Sequence, residues 1–395
     1  MSRRIDVLTD VSRGVRTAEY RLDATSGIRL AGSDAWSVSA NTLRGGLSEG
    51  VDVVRIDNGR LAVDVLPTRG MGLWKAACDG IDLGWKSPVA LPVNPAFVNL
   101  GDRGGLGFLS GFNEFLCRCG LDSNGPPGVD VITNNLGHRV EAPLTLHGKI
   151  ANIPAHAVSV EIDPAGAGTL SITGVVDEAM LFGPNLRLRS TLSTEAGSNR
   201  LAIVDEVANR GGNPAELQLL YHWNFGPPLL GEGARFVAPL RRVIPRDPRA
   251  AEAGERWNEY TAPTAGATEQ VYFLEPLADA DGWSSAMLVD PAGTRGASLR
   301  FRIDELPHLT LWVNGQAEAD GYVTAIEPGT NYPNSKGFER VQGRVVVLAP
   351  GEVRRFETEL TIHATDDEVR TTLEAIATLA AGHLPPKISP PLIEG

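Results

Sequence analysis

The chain has 395 residues, 42% hydrophobic and 21% charged, a balance that suits a globular protein with a substantial core. Acidic residues outnumber basic ones by 48 to 36, and the resulting net charge of −12 argues against nucleic acid or an anionic membrane surface as a partner. The three cysteines, Cys78, Cys117 and Cys119, are too few for a disulfide framework and fit a reducing compartment. The opening MSRRIDVLTDVSRG has basic residues with no apolar run behind them, and no window approaches the roughly 18 apolar residues of a membrane helix, so the expectation is a cytoplasmic protein.

Taken in chain order, period-two runs dominate. They include Arg60–Leu66, Thr169–Val176, Leu186–Leu192 and Ala202–Ala208, each alternating apolar and polar residues as a half-buried strand does. Turn residues punctuate the gaps, as in Asn209-Arg-Gly-Gly-Asn-Pro214 and Asp290-Pro-Ala-Gly293. Strands and turns at this density predict an all-β sandwich or barrel. The clearest helix is Thr365–Leu379, where Thr365 and Glu368 form a capping box and Val369, Leu373, Ile376 and Leu379 recur at helical spacing. No repeat, charge block or linker divides the chain. It reads as one β-sandwich domain over residues 1–395, with strands in 1–50 and a helix and tail in 364–395 as peripheral additions.

Three stretches carry candidate chemistry. In the first, a strand ending at Tyr221 runs into His222-Trp-Asn-Phe-Gly226, which places a histidine at a strand end beside Trp223 and Asn224. In the second, Tyr322–Pro333, Glu327 closes an apolar strand just before a Pro-Gly turn, and partial exclusion from water there would raise its pKa toward neutrality. The third is Leu144-Thr-Leu-His147-Gly-Lys149, where glycine after histidine permits close approach of backbone and ligand. Other signals lead nowhere. Cys117-Arg-Cys119 has no second cysteine pair to build a zinc site, and Gly105-Leu-Gly107 lacks the strand–helix unit of a dinucleotide loop.

In the order His147, His222, Glu327, these stretches resemble the aldose 1-epimerase (galactose mutarotase-like) superfamily. Leu306-Pro-His-Leu-Thr-Leu-Trp312, Leu348-Ala-Pro-Gly-Glu352 and Leu66-Pro-Thr-Arg-Gly-Met-Gly72 agree with the family's flanking pieces, so the likeness covers roughly residues 50 to 363. The resemblance implies a large antiparallel β-sandwich (the supersandwich) with a few short helices. It also implies Glu327 as base, His222 as acid, and His147 as a second histidine that holds a sugar hydroxyl or shares charge at the ring oxygen. No metal or organic cofactor is called for, and the partner is a small-molecule sugar; a homodimer is compatible.

Candidate substrate contacts are Trp223, Asn224, Trp312 and Tyr332 as platforms and hydroxyl partners. Arg69, Arg118 and Lys149 are candidates for hydroxyls or an acidic group on the sugar. The Asn-and-Arg substrate motif of true galactose mutarotases is absent, and Gly104–Asn124 occupies its region. That departure places the chain in a divergent, largely uncharacterised branch with no named sugar. It also leaves two alternatives to anomeric isomerisation: a non-catalytic sugar-binding or sensing protein, and another isomerisation or elimination on the same scaffold.

Overall fold

The computed structural model describes residues 3–392. Its strands form a 10-stranded sheet and a 14-stranded sheet, together with a separate hairpin of Gly128–Thr133 and Arg139–Leu144. Pairing within the two large sheets is antiparallel throughout, apart from a short parallel contact between Leu240–Pro245 and Lys387–Ile388.

The alternation read from the sequence produces the smaller sheet. Thr169–Ala179, Asn185–Glu195 and Arg200–Asn209 pair in succession, and along each of them buried and partly exposed residues alternate. Leu170, Ile172, Leu188, Leu192, Leu201 and Ile203 point inward and join Val38, Ile56, Val63, Tyr221 and Ile326 of the larger sheet in one apolar cluster. At about 25 cal/mol per Å² of apolar surface removed from water, this inter-sheet layer is the main stabilising term. The strands contributed by residues 4–42 lie at the sheet edges, against Ala157–Asp163 in one sheet and Asp52–Asp57 in the other.

The centre of the larger sheet behaves differently. Leu116–Leu121, Ala215–Phe225 and Val323–Gly329 pair side by side and are buried almost throughout. One of their faces rests on the other sheet, while loops cover the second face. That second cover is what creates an interior site.

The C-terminal helix spans Asp366–Ala380, one residue displaced from the sequence reading. Thr365 accepts from the Glu368 amide at 3.3 Å, Glu368 accepts from the Ala364 amide at 2.7 Å, and Val369 and Ile376 bury against Met287 and Val289. No described helix is long and apolar enough to cross a membrane.

Candidate active site

The site is built from strand alternation. Along Ala215–Phe225, Leu217, Leu219, Tyr221, Trp223 and Phe225 enter the inter-sheet core, so His222 and Asn224 must face the opposite, loop-covered side. The neighbouring strand pairs Trp223 with Ile326, a register that sets Glu327 across from His222. On the next strand, Thr310 pairs with Glu327 and Trp312 with Ala325. Glu327, Thr310, Trp312 and His222 therefore share one face.

That face forms the floor of a cavity of about 820 Å³, walled by Trp85, Phe108, Phe112, Leu146, His147, Val271, Phe273 and Trp312. Volume and lining both suit a small polar molecule held between apolar surfaces. The His222 ring is enclosed by aromatic edges: its centroid lies 5.2 Å from Phe112, 5.3 Å from His147 and 5.5 Å from Trp312.

His222 Nε2 lies 3.2 Å from Glu327 Oε1, with side-chain exposures of 5% and 2%. The other imidazole nitrogen is assigned by Asn224. The Asn224 amide nitrogen donates to the carbonyls of Glu114 and His222, both at 3.0 Å, so its oxygen is the partner of His222 Nδ1 at 2.8 Å. Nδ1 thus carries a proton and donates it, and Nε2 faces Glu327. His147 is set in the same way, its Nδ1 donating to the Asn124 carbonyl at 2.9 Å, which leaves Nε2 as an acceptor.

Electrostatics follow from burial. Desolvation pushes the Glu327 carboxyl well above its ordinary value, and the charge of Glu269 adds to the rise. Desolvation also pushes His222 well below its ordinary value, helped by repulsion from His147 and opposed by the Asn224 bond. His147 is lowered by burial as well. Neither group favours a lone charge, so one proton shared between Nε2 and Oε1 is the state that leaves no net charge on the pair. Among the described residues, no group of three or more His, Cys, Asp or Glu side chains is arranged to hold a metal ion.

The structure brings His222, Glu327, His147 and Trp312 to the cavity and places the other candidates elsewhere. Asn224 lies behind His222 and uses both ends of its amide in orienting that ring. Trp223 is fully buried between the sheets, on the opposite face of the same strand. Tyr332 sits behind the wall, 4.8 Å from the Phe273 ring, its hydroxyl donating to the Leu274 carbonyl. Arg69 is buried against Glu114 at 2.5 Å and the Val93 carbonyl at 2.9 Å. Arg118 spans the two sheets to Asp205 at 2.5 Å, where Ser190 and the Met71 carbonyl complete its bonds. Lys149 is exposed to solvent.

Contacts not anticipated from the sequence are Phe108, Phe112, Trp85 and the rim of Arg246, Glu269 and Gln316. At that rim, Trp312 Nε1 donates to Glu269 at 2.8 Å, and Arg246 is held by Glu269 at 2.9 Å and Asp247 at 2.8 Å. Among the described residues that line the cavity, the one cation, Arg246, is therefore already neutralised.

The family model for a domain of unknown function, DUF4432, matches residues 48–362. No curated protein matches the sequence. A candidate aldose 1-epimerase from Klebsiella pneumoniae subsp. pneumoniae MGH 78578 is similar over 100% of both chains, at 34% identity and a TM-score of 0.91. A galactose mutarotase-like protein from Clostridium acetobutylicum shares the fold at 16% identity and a TM-score of 0.54, over 82% of this chain and 98% of its own. Galactose 1-epimerase from Lactobacillus acidophilus NCFM does so at 12% identity and 0.53, over 83% and 99%. The two-sheet fold, the family model and the full-length similarity agree: the chain belongs to the DUF4432 family, a divergent branch of the aldose 1-epimerase (galactose mutarotase-like) superfamily.

Proposed function

We propose that this protein is an isomerase acting at the anomeric carbon of an uncharged aldose, with Glu327 and His222 exchanging protons with the two oxygens on that carbon. The observation that carries the reading is the 3.2 Å contact between Nε2 and Oε1 on the floor of an aromatic-walled cavity. The anomeric hydroxyl and the ring oxygen are bonded to the same carbon, so an acid and a base this close can address both.

In the forward step Glu327 takes the proton of the anomeric hydroxyl while His222 Nε2–H gives its proton to the ring oxygen. The bond from C1 to the ring oxygen breaks and the carbonyl forms. Rotation about C1–C2 and the reverse transfers close the other anomer. The pair begins and ends with one proton between them, so no net charge is created in the pocket. Each positioned transfer is worth about 10²–10⁴-fold. His147, with Nε2 unprotonated, accepts a hydroxyl hydrogen bond from the sugar. Trp312 and Phe112 supply apolar surface for ring carbons. Asp320 and Glu269 line the cavity against the paired Arg246, which supports an uncharged substrate.

The whole chain is proposed to work as one unit in a reducing compartment. One apolar cluster draws on both sheets, and Cys78, Cys117 and Cys119 are free and buried.

The test is magnetisation exchange between anomers in NMR across a panel of neutral aldoses and their phosphates. Acceleration of at least one neutral sugar is expected. Saturable binding without acceleration would leave a sugar-binding protein instead, and product other than the second anomer would indicate different chemistry on this scaffold.

A further inference from the structure

Asn124 and Asn331 stand 207 positions apart, are both fully buried, and exchange two amide hydrogen bonds. Asn124 Nδ2 donates to Asn331 Oδ1 at 3.1 Å, and Asn331 Nδ2 donates to Asn124 Oδ1 at 2.9 Å. Each residue also holds something else. The Asn124 carbonyl accepts from His147 Nδ1 at 2.9 Å. Asn331 Oδ1 accepts from the Thr330 hydroxyl at 3.0 Å. Thr330 is tied to Leu219, its hydroxyl accepting from the Leu219 amide at 2.9 Å and its own amide donating to the Leu219 carbonyl at 2.8 Å.

Leu219 lies on the strand of His222, and Thr330 directly follows the strand of Glu327. Hydrogen bonds joined through the covalent frame of Asn124, whose carbonyl holds the ring and whose side chain holds Asn331, therefore link His147 to both strands that carry the acid–base pair. His147 has a left-handed backbone, φ +58°, uncommon for a residue with a side chain and sustained only by surrounding structure.

We propose that the Asn124–Asn331 pair is a positioning element of the site: it fixes which nitrogen of His147 faces the sugar and seats the segment after Glu327 against it. The proposal rests on the reading of this cavity as the catalytic centre. An amide pair suits the task because each side needs a donor and an acceptor in a fixed order, so the pair has one geometry.

The test uses the full chain with Asn331→Ala and the isosteric Asn331→Asp, which keeps the acceptor for Asn124 Nδ2 but opposes oxygen to oxygen in the other bond. Asn58→Ala is the control, since Asn58 is equally buried and bonded to Thr194, Glu195 and Ser198, outside the cavity. Imidazole ¹⁵N–¹H spectra should show His147 protonated at Nδ1 in the wild type and in Asn58→Ala. Both Asn331 variants should show a mixture containing the Nε2-protonated form. For a sugar that turns over, kcat should fall by about 10- to 100-fold, as a small misplacement at a reacting centre does, with KM changing less. Asn124→Ala combined with Asn331→Ala should lose little more than either alone. An unchanged His147 tautomer in both Asn331 variants overturns the proposal. A wild type that accelerates no sugar would overturn the proposed function, and the tautomer spectra would still decide the positioning role.

Discussion

His363 provides a quantitative check on how the fold handles a buried ionisable group. The residue is 5% exposed and its Nε2 lies 2.8 Å from the Ser298 hydroxyl. Burial lowers its pKa to about 4, with Glu368 pulling it up and Arg200 pushing it down. Because the folded value lies below the ordinary value near 6.5, the unfolded chain binds more protons between the two. The contribution of neutral His363 is thus complete above about pH 6.5 and is lost as pH falls toward about 4. At pH 5 the loss from this one group is about 2 kcal/mol. His363→Gln keeps a partner for Ser298 but cannot titrate. Urea unfolding at about pH 7.5 and about pH 5 should show a fall in stability between the two conditions that is smaller by about 2 kcal/mol in the variant. An identical fall in both proteins would refute the reasoning.

Asp205→Asn strands the Arg118 guanidinium between the sheets and is expected to cost about 3–5 kcal/mol in urea unfolding, whereas replacing both residues by apolar ones should cost less. Asn224→Ala frees the His222 ring from its Nδ1 acceptor; kcat should fall by about 10- to 100-fold with KM nearly unchanged. Phosphorylated hexoses should fail to compete with a neutral sugar in the exchange assay, since a phosphate would meet Glu269 and Asp320 with no unpaired cation among the described lining residues to receive it.

Much of the fold was legible because a half-buried strand writes its own alternation, as in Thr169–Ala179 and Asn185–Glu195. The same rule explains which site candidates leave the cavity. Once His222 faces the loops, Trp223 must face the core. Once Cys117 lines the loop-covered side with Phe108 and Phe112, Arg118 must point between the sheets. Both placements follow from the period of two. The loop-borne walls were not legible: Trp85, Phe108 and Phe112 lie in long irregular segments with no periodicity, and only their contacts with His222 and one another reveal them. The rim of Arg246, Glu269 and Gln316 escaped for a similar reason, because its members meet only when Gln270–Pro276 and His308–Asn314 pair. Asn331 could be read as a turn residue, but its partner at Asn124 could not.

The central claim is that His222 and Glu327 share a proton and act as one unit at the anomeric carbon. The direct measurement is anomer exchange by NMR for Glu327→Gln, His222→Gln and the double variant, on a neutral aldose that the wild type accelerates. Each single substitution is expected to cost about 10²–10⁴-fold, and the double variant little more than the worse single one. A single variant that keeps the wild-type rate, or losses that multiply in the double variant, would contradict it.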